Sequence, residues 1–99
     1  MDMLTELKIV ELLRRNSALF SSFINVYLFG SVLSENCIPN DLDILLVYED
    51  DATKVLDRIS DIKMIFEKEI GLTVDMTVLS KAEAIETGFL ERIRYLKLK

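Results

Sequence analysis

The sequence has no histidine, one cysteine, one proline and three glycines among 99 residues. A single cysteine excludes an internal disulfide and suits a reducing cytoplasm. Without histidine, the chain also lacks the ligand set of a typical zinc site. Cys37 has no basic neighbour in sequence, so we interpret it as an inert small side chain. Because proline and glycine are so few, we expect regular secondary structure along nearly the whole chain.

Long apolar runs and excess positive charge are also absent. No run approaches the roughly 18 apolar residues of a membrane span, and the charged N-terminal segment lacks the core of a signal peptide. These features predict a cytoplasmic protein without membrane contact. The net charge of −5 argues against broad, unaided binding to nucleic acid.

Length and composition predict one globular domain over residues 1–99. Hydrophobic residues make up 51% of the chain and charged residues 29%, which is typical of a folded domain rather than a disordered one. The apolar share is high for so short a chain. We therefore expect a second copy of the chain, as in a homodimer, or another partner to cover part of the surface.

Hydrophobic periodicity predicts the element order α-β-β-α-β-α. A short helical turn after Ser31, broken at Pro39, separates the first two strands. The last helix begins at a capping-box pattern in residues 80–83 and carries apolar residues at helical spacing up to Leu96, with an interruption at Gly88. The predicted elements are a helix at about 3–20, strands at 24–29 and 41–49, a helix from Asp50 or Asp51 to about 70, a strand at 72–79 and the last helix.

The connections predict an α/β (α+β) fold with a mixed three-stranded sheet and helices on one face. The second strand, the long helix and the third strand form a βαβ unit, and such units are parallel and right-handed in nearly all cases. The short link from Gly30 to Asp41 favours antiparallel pairing of the first two strands.

Three aspartates fall on one predicted face of the sheet. Side chains alternate along a strand, so Asp41 and Asp43 lie opposite the apolar residues of the second strand, and Asp75 lies opposite those of the third. Parallel pairing would set Asp75 beside Asp43, because each is near the start of its strand. Clustered carboxylates repel one another unless a cation neutralises them.

The donor types predict which cation this would be. Oxygen ligands without His or Cys suit Mg²⁺ or Mn²⁺, and Mg²⁺ is often held by one or two carboxylates together with substrate phosphates. Two such ions can act together on a displacement at phosphorus. Gly30 can let a backbone approach a phosphate closely, and Ser31 can donate to phosphate oxygens.

This combination resembles the DNA polymerase beta-like nucleotidyltransferase superfamily. The pattern is Gly30-Ser31 at the end of a strand, a nine-residue spacer, Asp41 and Asp43 opening the next strand, and Asp75 in a later strand. The short chain is most similar to the minimal nucleotidyltransferases of bacteria and archaea. The resemblance implies that the three aspartates are the catalytic metal ligands, and that Gly30 and Ser31 bind the phosphates of a nucleoside triphosphate.

The same resemblance implies a reaction and a partner. Mg²⁺ (or Mn²⁺) and ATP would be used to transfer AMP to a macromolecular acceptor. Minimal members commonly act as antitoxins of a small helical HEPN-type ribonuclease toxin, so such a toxin would be the partner and the acceptor.

Two other interpretations stay open. Minimal members often carry a basic residue shortly after Gly-Ser, whereas here Val32, Leu33, Ser34 and Glu35 follow. This difference favours a binding module that neutralises its partner sterically, without catalysis. The third interpretation is an aspartate-rich α/β domain without metal. The basic C-terminal residues are interpreted as a solvated helix end, with a phosphate or partner contact as the alternative: Arg92, Arg94, Lys97 and Lys99.

Overall fold

The computed structural model describes residues 3–33 and 41–99. The predictions for Cys37, for Pro39 and for Ser34 and Glu35 lie outside these residues. Short 3-10 turns at Gly30–Leu33 and Phe89–Arg92 follow the first strand and the last helix. The helices and strands are α1 (Met3–Arg15), α2 (Ser17–Phe20), β1 (Asn25–Phe29), β2 (Asp41–Tyr48), α3 (Thr53–Ile70), β3 (Thr73–Ser80), α4 (Lys81–Thr87) and β4 (Tyr95–Lys97).

The four strands form one mixed sheet in the order β3-β2-β1-β4. β2 pairs antiparallel with β1 and parallel with β3, as the link lengths predict. β4 adds an antiparallel strand to the free edge of β1. The predicted α/β class and mixed sheet are therefore confirmed, and the predicted strand count of three is too low by one.

The main core lies between one face of the sheet and the helices α1, α2 and α3. Alternate residues of β2 reach it, among them Leu42, Ile44 and Leu46, which are fully buried. Ile9 of α1 and Phe66 of α3 close the layer from the helix side. Burying each such side chain contributes about 1.5–3 kcal/mol, and this layer fixes which face of β2 remains for polar residues.

The helix ends follow local side-chain chemistry. The N-cap residue of α3 is Ala52, whereas the predicted cap is Asp50 or Asp51. The side chain of Asp51 accepts hydrogen bonds from the backbone N–H of Thr53 at 3.0 Å and from its hydroxyl at 2.6 Å, so it still contacts the first turn of the helix. α3 ends at Gly71, whose φ of 81° is left-handed and whose N–H donates to the Glu67 carbonyl, as the sequence predicts. The predicted first helix is instead two helices, because the Asn16 side chain donates to the Leu12 carbonyl where α1 ends.

The C-terminal segment differs most from prediction. The capping box is present, with the Ser80 side chain accepting from the Glu83 N–H at 3.1 Å. However, α4 ends at Gly88, which has a φ of 60°. The chain then makes a 3-10 turn and returns as β4, where Leu96 and Leu98 pack against the main core. The predicted interruption at Gly88 is confirmed, but the prediction that helix continues beyond it is wrong, because Phe89 and Leu90 lie in the 3-10 turn and Leu96 lies in β4.

The turn of the chain after α4 covers the second face of the sheet. Leu45 and Val47 are buried there with Tyr27. Five partly buried residues pack against them: Phe29, Leu79, Ala84, Phe89 and Leu90. The prediction that helices cover only one face of the sheet is thus wrong, since α4 and the Phe89–Arg92 turn lie over the opposite face. On this face, near the starts of β2 and β3, Asp41 and Asp43 are half-buried and Asp75 is exposed.

Two surface features complete the description of residues 3–33 and 41–99. None of the helices there combines the length and the apolar character that crossing a membrane requires. α1 exposes three large apolar side chains spaced three residues apart, with exposed fractions of 73% for Leu4, 57% for Leu7 and 50% for Val10.

Candidate metal and nucleotide site

Asp43 and Asp75 are direct neighbours across two parallel strands. The register of β2 on β3 pairs Asp43 with Asp75 and, two residues earlier, Asp41 with Thr73. The antiparallel register of β1 pairs Asp43 with Phe29 on its other side. Because paired residues point to the same face, the predicted placement of Asp43 beside Asp75 is confirmed. The row Phe29, Asp43, Asp75 crosses the sheet from two half-buried residues to the exposed Asp75.

The Asp43 carboxylate lies in surroundings that disfavour its charged form. Its side chain is half-buried, and this desolvation raises the pKa of the carboxyl group. The neighbouring carboxylates of Asp75 and then Asp41 raise the pKa further. No Lys or Arg whose side chain the structure describes forms a salt bridge with any of the three. Positive charge from a ligand would therefore stabilise the ionised site.

Gly30 gives Asp43 its position. A Cβ atom at Gly30 would overlap the Oδ2 atom of Asp43 and lie 3.0 Å from its Cγ. Gly30 also has a φ of 82°, a left-handed conformation that side chains disfavour. Glycine is therefore required at position 30 for two reasons: the left-handed turn out of β1 and the close approach of the Asp43 carboxylate. The sequence predicts a role for Gly30 toward phosphate but does not reveal this contact with Asp43.

Ser31 follows in the 3-10 turn Gly30–Leu33, directly after β1. The turn contacts β2 and β4. The backbone of the Gly-Ser pattern is thus beside the aspartate row, as the antiparallel pairing of β1 and β2 predicts.

Aromatic residues line the side of the site away from Asp75. Phe29 makes an edge-to-face contact with Phe89, with ring centroids 5.4 Å apart. Tyr27 and Tyr95 form a second such pair at 5.2 Å. Burial and then the neighbouring Tyr95 raise the pKa of Tyr27, which keeps that phenol neutral at physiological pH. The pairs with Phe89 and Tyr95 depend on β4 and the preceding turn, so sequence reasoning misses them.

The oxygen donors of the three aspartates suit a hard divalent cation, but they are not arranged as a complete binding site. Among the described side chains, no three His, Cys, Asp or Glu residues are arranged to hold one ion. The pairing of Asp43 with Asp75 nevertheless brings two carboxylates into one row, with Asp41 close enough to raise the pKa of Asp43. Mg²⁺ is commonly bound by one or two carboxylates plus substrate phosphates, without a complete protein cage. The aspartates therefore fit a cation whose remaining ligands come from a phosphate-bearing molecule.

Comparisons with known proteins leave the family undetermined. No family model matches the sequence, and no curated protein sequence matches it. A search of solved structures finds a candidate nucleotidyltransferase from Sulfolobus solfataricus. It shares 22% identity with a TM-score of 0.49, over 91% of this chain and 75% of that chain. Similarity at this level establishes neither family nor activity, so a function must be supported by the residues of this chain.

Proposed function

We propose that this protein is a Mg²⁺-dependent nucleotidyltransferase that transfers a nucleoside monophosphate, AMP from ATP, to a macromolecular acceptor. The observation that carries the proposal is the row of Asp43 and Asp75 beside Gly30. The half-buried Asp43 faces two other carboxylates, an arrangement that is costly for the fold. A cation brought by a nucleoside triphosphate offsets that cost and gives the arrangement a function.

In this proposal Asp41, Asp43 and Asp75 hold one or two Mg²⁺ or Mn²⁺ ions. When bound, such ions would supply charge stabilisation for the triphosphate. An oxygen of the acceptor attacks the α-phosphorus, and pyrophosphate leaves. Asp75 is exposed on β3 and accepts the proton that the acceptor oxygen loses.

Gly30 and Ser31 serve the nucleotide. Gly30 leaves space for the Asp43 carboxylate and so sets where the ion is held. Ser31 is assigned to the phosphates from the sequence pattern, and its backbone lies in the turn beside the site. The exposure of Asp75 favours a large acceptor, because the β3 end of the aspartate row is open to solvent.

For the acceptor, we propose a partner protein of the HEPN-type toxin class, with this chain as its antitoxin. The sequence resemblance supports this class. The apolar stripe Leu4, Leu7 and Val10 on α1 supports a protein partner, since three large side chains at helical spacing are exposed together.

Transfer of label tests the activity. The purified protein is incubated with Mg²⁺, ATP labelled in the α-phosphate and the product of the neighbouring gene. We expect label on the neighbour and release of pyrophosphate, both lost in Asp43→Asn. The matched control is Asp61→Asn, which removes an exposed carboxylate of α3 and should leave transfer unchanged. Pyrophosphate release that is equal in both variants would contradict the proposed role of Asp43.

A steric binding module is the second candidate. The exposed stripe on α1 favours it, because that surface lies on the helix side of the sheet, away from the aspartate row. A cavity of about 360 Å³ adjoins the stripe, lined by Val10, Leu13, Arg14, Ser17, Phe20, Leu98 and Lys99. A binder would neutralise its partner without labelling it, equally well as Asp43→Asn, and would lose neutralisation with Leu7→Glu.

A further inference from the structure

β3 forms one edge of the sheet. In the order β3-β2-β1-β4 it pairs on one side with β2, and within residues 3–33 and 41–99 no strand pairs with its other side. It spans eight residues, Thr73–Ser80, whereas β4 at the opposite edge spans three. A strand edge of this length is a template on which another extended chain can pair.

Two glutamates show which backbone groups face the free edge of β3. The Glu67 carboxylate accepts a hydrogen bond from the N–H of Val74 at 2.9 Å, and the Glu83 carboxylate accepts one from the N–H of Ser80, also at 2.9 Å. Both N–H groups thus bond to side chains rather than to β2. Backbone groups alternate in direction along a strand, so Met76 and Val78, at even spacing between Val74 and Ser80, present their N–H and C=O groups at the same edge.

The open stretch of this edge is short and has negative charge at both ends. No described side chain bonds to the N–H of Met76 or of Val78. The carboxylates of Glu67 and Glu83 occupy the edge on either side of them. A chain that adds to β3 must fit between these carboxylates, and Lys or Arg at its ends would complement their charge.

Asp75 connects the open edge to the aspartate row. Phe29, Asp43 and Asp75 lie side by side on β1, β2 and β3, and their side chains share one face. Adjacent strands are about 4.8 Å apart, so a residue opposite Asp75 on an added strand would extend this row by one position. Asp75 is exposed, which leaves its carboxylate accessible to that residue.

We propose that an extended, basic segment of the acceptor protein pairs with β3 at Met76 and Val78 and places a hydroxyl-bearing residue opposite Asp75. The oxygen of this hydroxyl forms the new bond to the α-phosphorus as the bond to pyrophosphate breaks, and its proton passes to Asp75. This inference rests on the proposed function, because it assumes transfer at the aspartate row. It adds how the acceptor binds and which chemical class of segment it presents.

Proline at an edge position tests the pairing by transfer of label. Val78→Pro removes an N–H that faces away from β2, a position at which an edge strand tolerates proline. The acceptor is the product of the neighbouring gene, supplied with Mg²⁺ and ATP labelled in the α-phosphate. We expect kcat/KM for this acceptor to fall about tenfold, while binding of the α,β-methylene analogue of ATP stays unchanged. The matched control is Val78→Ala, which loses side-chain packing but keeps the N–H and should label the acceptor nearly as fast as the wild type.

The charge at the edge is tested separately. Glu67→Gln keeps an oxygen that can accept from the Val74 N–H but removes the negative charge. We expect a higher KM for the acceptor with kcat unchanged, and a difference from the wild type that shrinks as salt is added. Equal KM values at low salt would contradict a basic acceptor segment.

Hydrogen exchange of the wild type tests the contact without any substitution. Saturating acceptor should slow exchange of the Met76 and Val78 amides, because they gain backbone partners. The amides of Val74 and Ser80 already bond to carboxylates and should change little. This measurement decides the matter if circular dichroism shows that Val78→Pro is unfolded.

The outcomes separate this inference from the proposed function. If the wild type labels the acceptor and folded Val78→Pro labels it equally fast, edge pairing is wrong while the activity stands. Exchange at Met76 and Val78 that does not change with acceptor would also overturn it. Protection that rises with the concentration of this protein alone would mean that a second copy occupies the edge, which overturns it as well. If the wild type transfers no label and releases no pyrophosphate, the proposed function itself fails.

Discussion

The Oδ2 atom of Asp43 occupies the space that the first side-chain atom of any residue other than glycine would take at position 30. The carboxylate and the turn out of β1 therefore depend on each other. A change at either residue should alter the other, even though thirteen positions separate them in the sequence.

Gly30→Ala measures this dependence, and Gly71→Ala is its control. The two glycines have nearly the same φ, 82° and 81°, so both substitutions should carry the left-handed penalty of roughly 1–2 kcal/mol. A Cβ at Gly71 meets no atom within 4 Å, whereas a Cβ at Gly30 overlaps Asp43. We expect Gly30→Ala to lower the free energy of unfolding by roughly 1–3 kcal/mol more than Gly71→Ala, measured by urea denaturation. Adding Asp43→Ala to Gly30→Ala should remove that excess, and an excess that persists would contradict the contact.

The raised pKa of Asp43 predicts how stability depends on pH in the absence of metal. The folded protein holds the Asp43 proton more tightly than the unfolded chain does. Stability should therefore fall as pH rises from the ordinary carboxyl pKa to the raised value in the fold. Asp43→Asn removes this dependence. At neutral pH it should melt slightly higher than the wild type, with a free energy of unfolding that is larger by less than about 1 kcal/mol after solvent screening. A lower melting temperature for Asp43→Asn at neutral pH, with chelator present, would contradict this.

Divalent cations should reverse the order of the two proteins. Ligand that binds only the folded state stabilises it by mass action, so Mg²⁺ or Mn²⁺ should raise the melting temperature of the wild type, most strongly with nucleotide present. Asp43→Asn should respond much less, while Asp61→Asn, changed on the exposed face of α3, should respond as the wild type does. The metal hypothesis fails if calorimetry and melting show no divalent response in the wild type with or without nucleotide.

The cap of α4 should control how well the second face of the sheet is covered. Ser80→Ala removes the side-chain acceptor of the Glu83 N–H and should cost about 1 kcal/mol of stability. Ser60→Ala, an exposed position inside α3, should be neutral or slightly stabilising because alanine favours helix. The backbone N–H of Ser80 donates to the Glu83 carboxylate at 2.9 Å, and this bond, with the Ser80 side chain second, lowers the pKa of Glu83. The stabilisation by the Glu83 carboxylate is therefore present above the ordinary Glu pKa and is lost as pH falls through the lowered value, and most of it should persist in Ser80→Ala. A Ser80→Ala penalty no larger than that of Ser60→Ala would exclude the cap as a stabilising contact.

How much the sequence predicts varies along the chain. The pairing of the first three strands follows from the lengths of the links between them. The placement of Asp75 beside Asp43 follows from the alternation of side chains along each strand. Both rules depend only on residues that are close in the sequence. Sequence reasoning misses β4 because Ile85, Phe89 and Ile93 are spaced as on a helix. What decides the matter is the left-handed Gly88 and the free edge of β1, and the second of these exists only in the folded sheet.

The half-buried charge of Asp43 also constrains how such a protein can change over generations. Exchange of this carboxylate for an amide relieves repulsion in the fold and, under the proposed function, removes a metal ligand at the same time. Under that proposal, substitutions here that abolish catalysis are favoured by stability, and their reversal is opposed by it. The two functions weighed above, enzyme and steric binder, are one substitution apart. If the proposed function holds, a lineage that no longer needs the reaction would drift toward the binder, and only selection for the chemistry would keep a carboxylate that the fold disfavours.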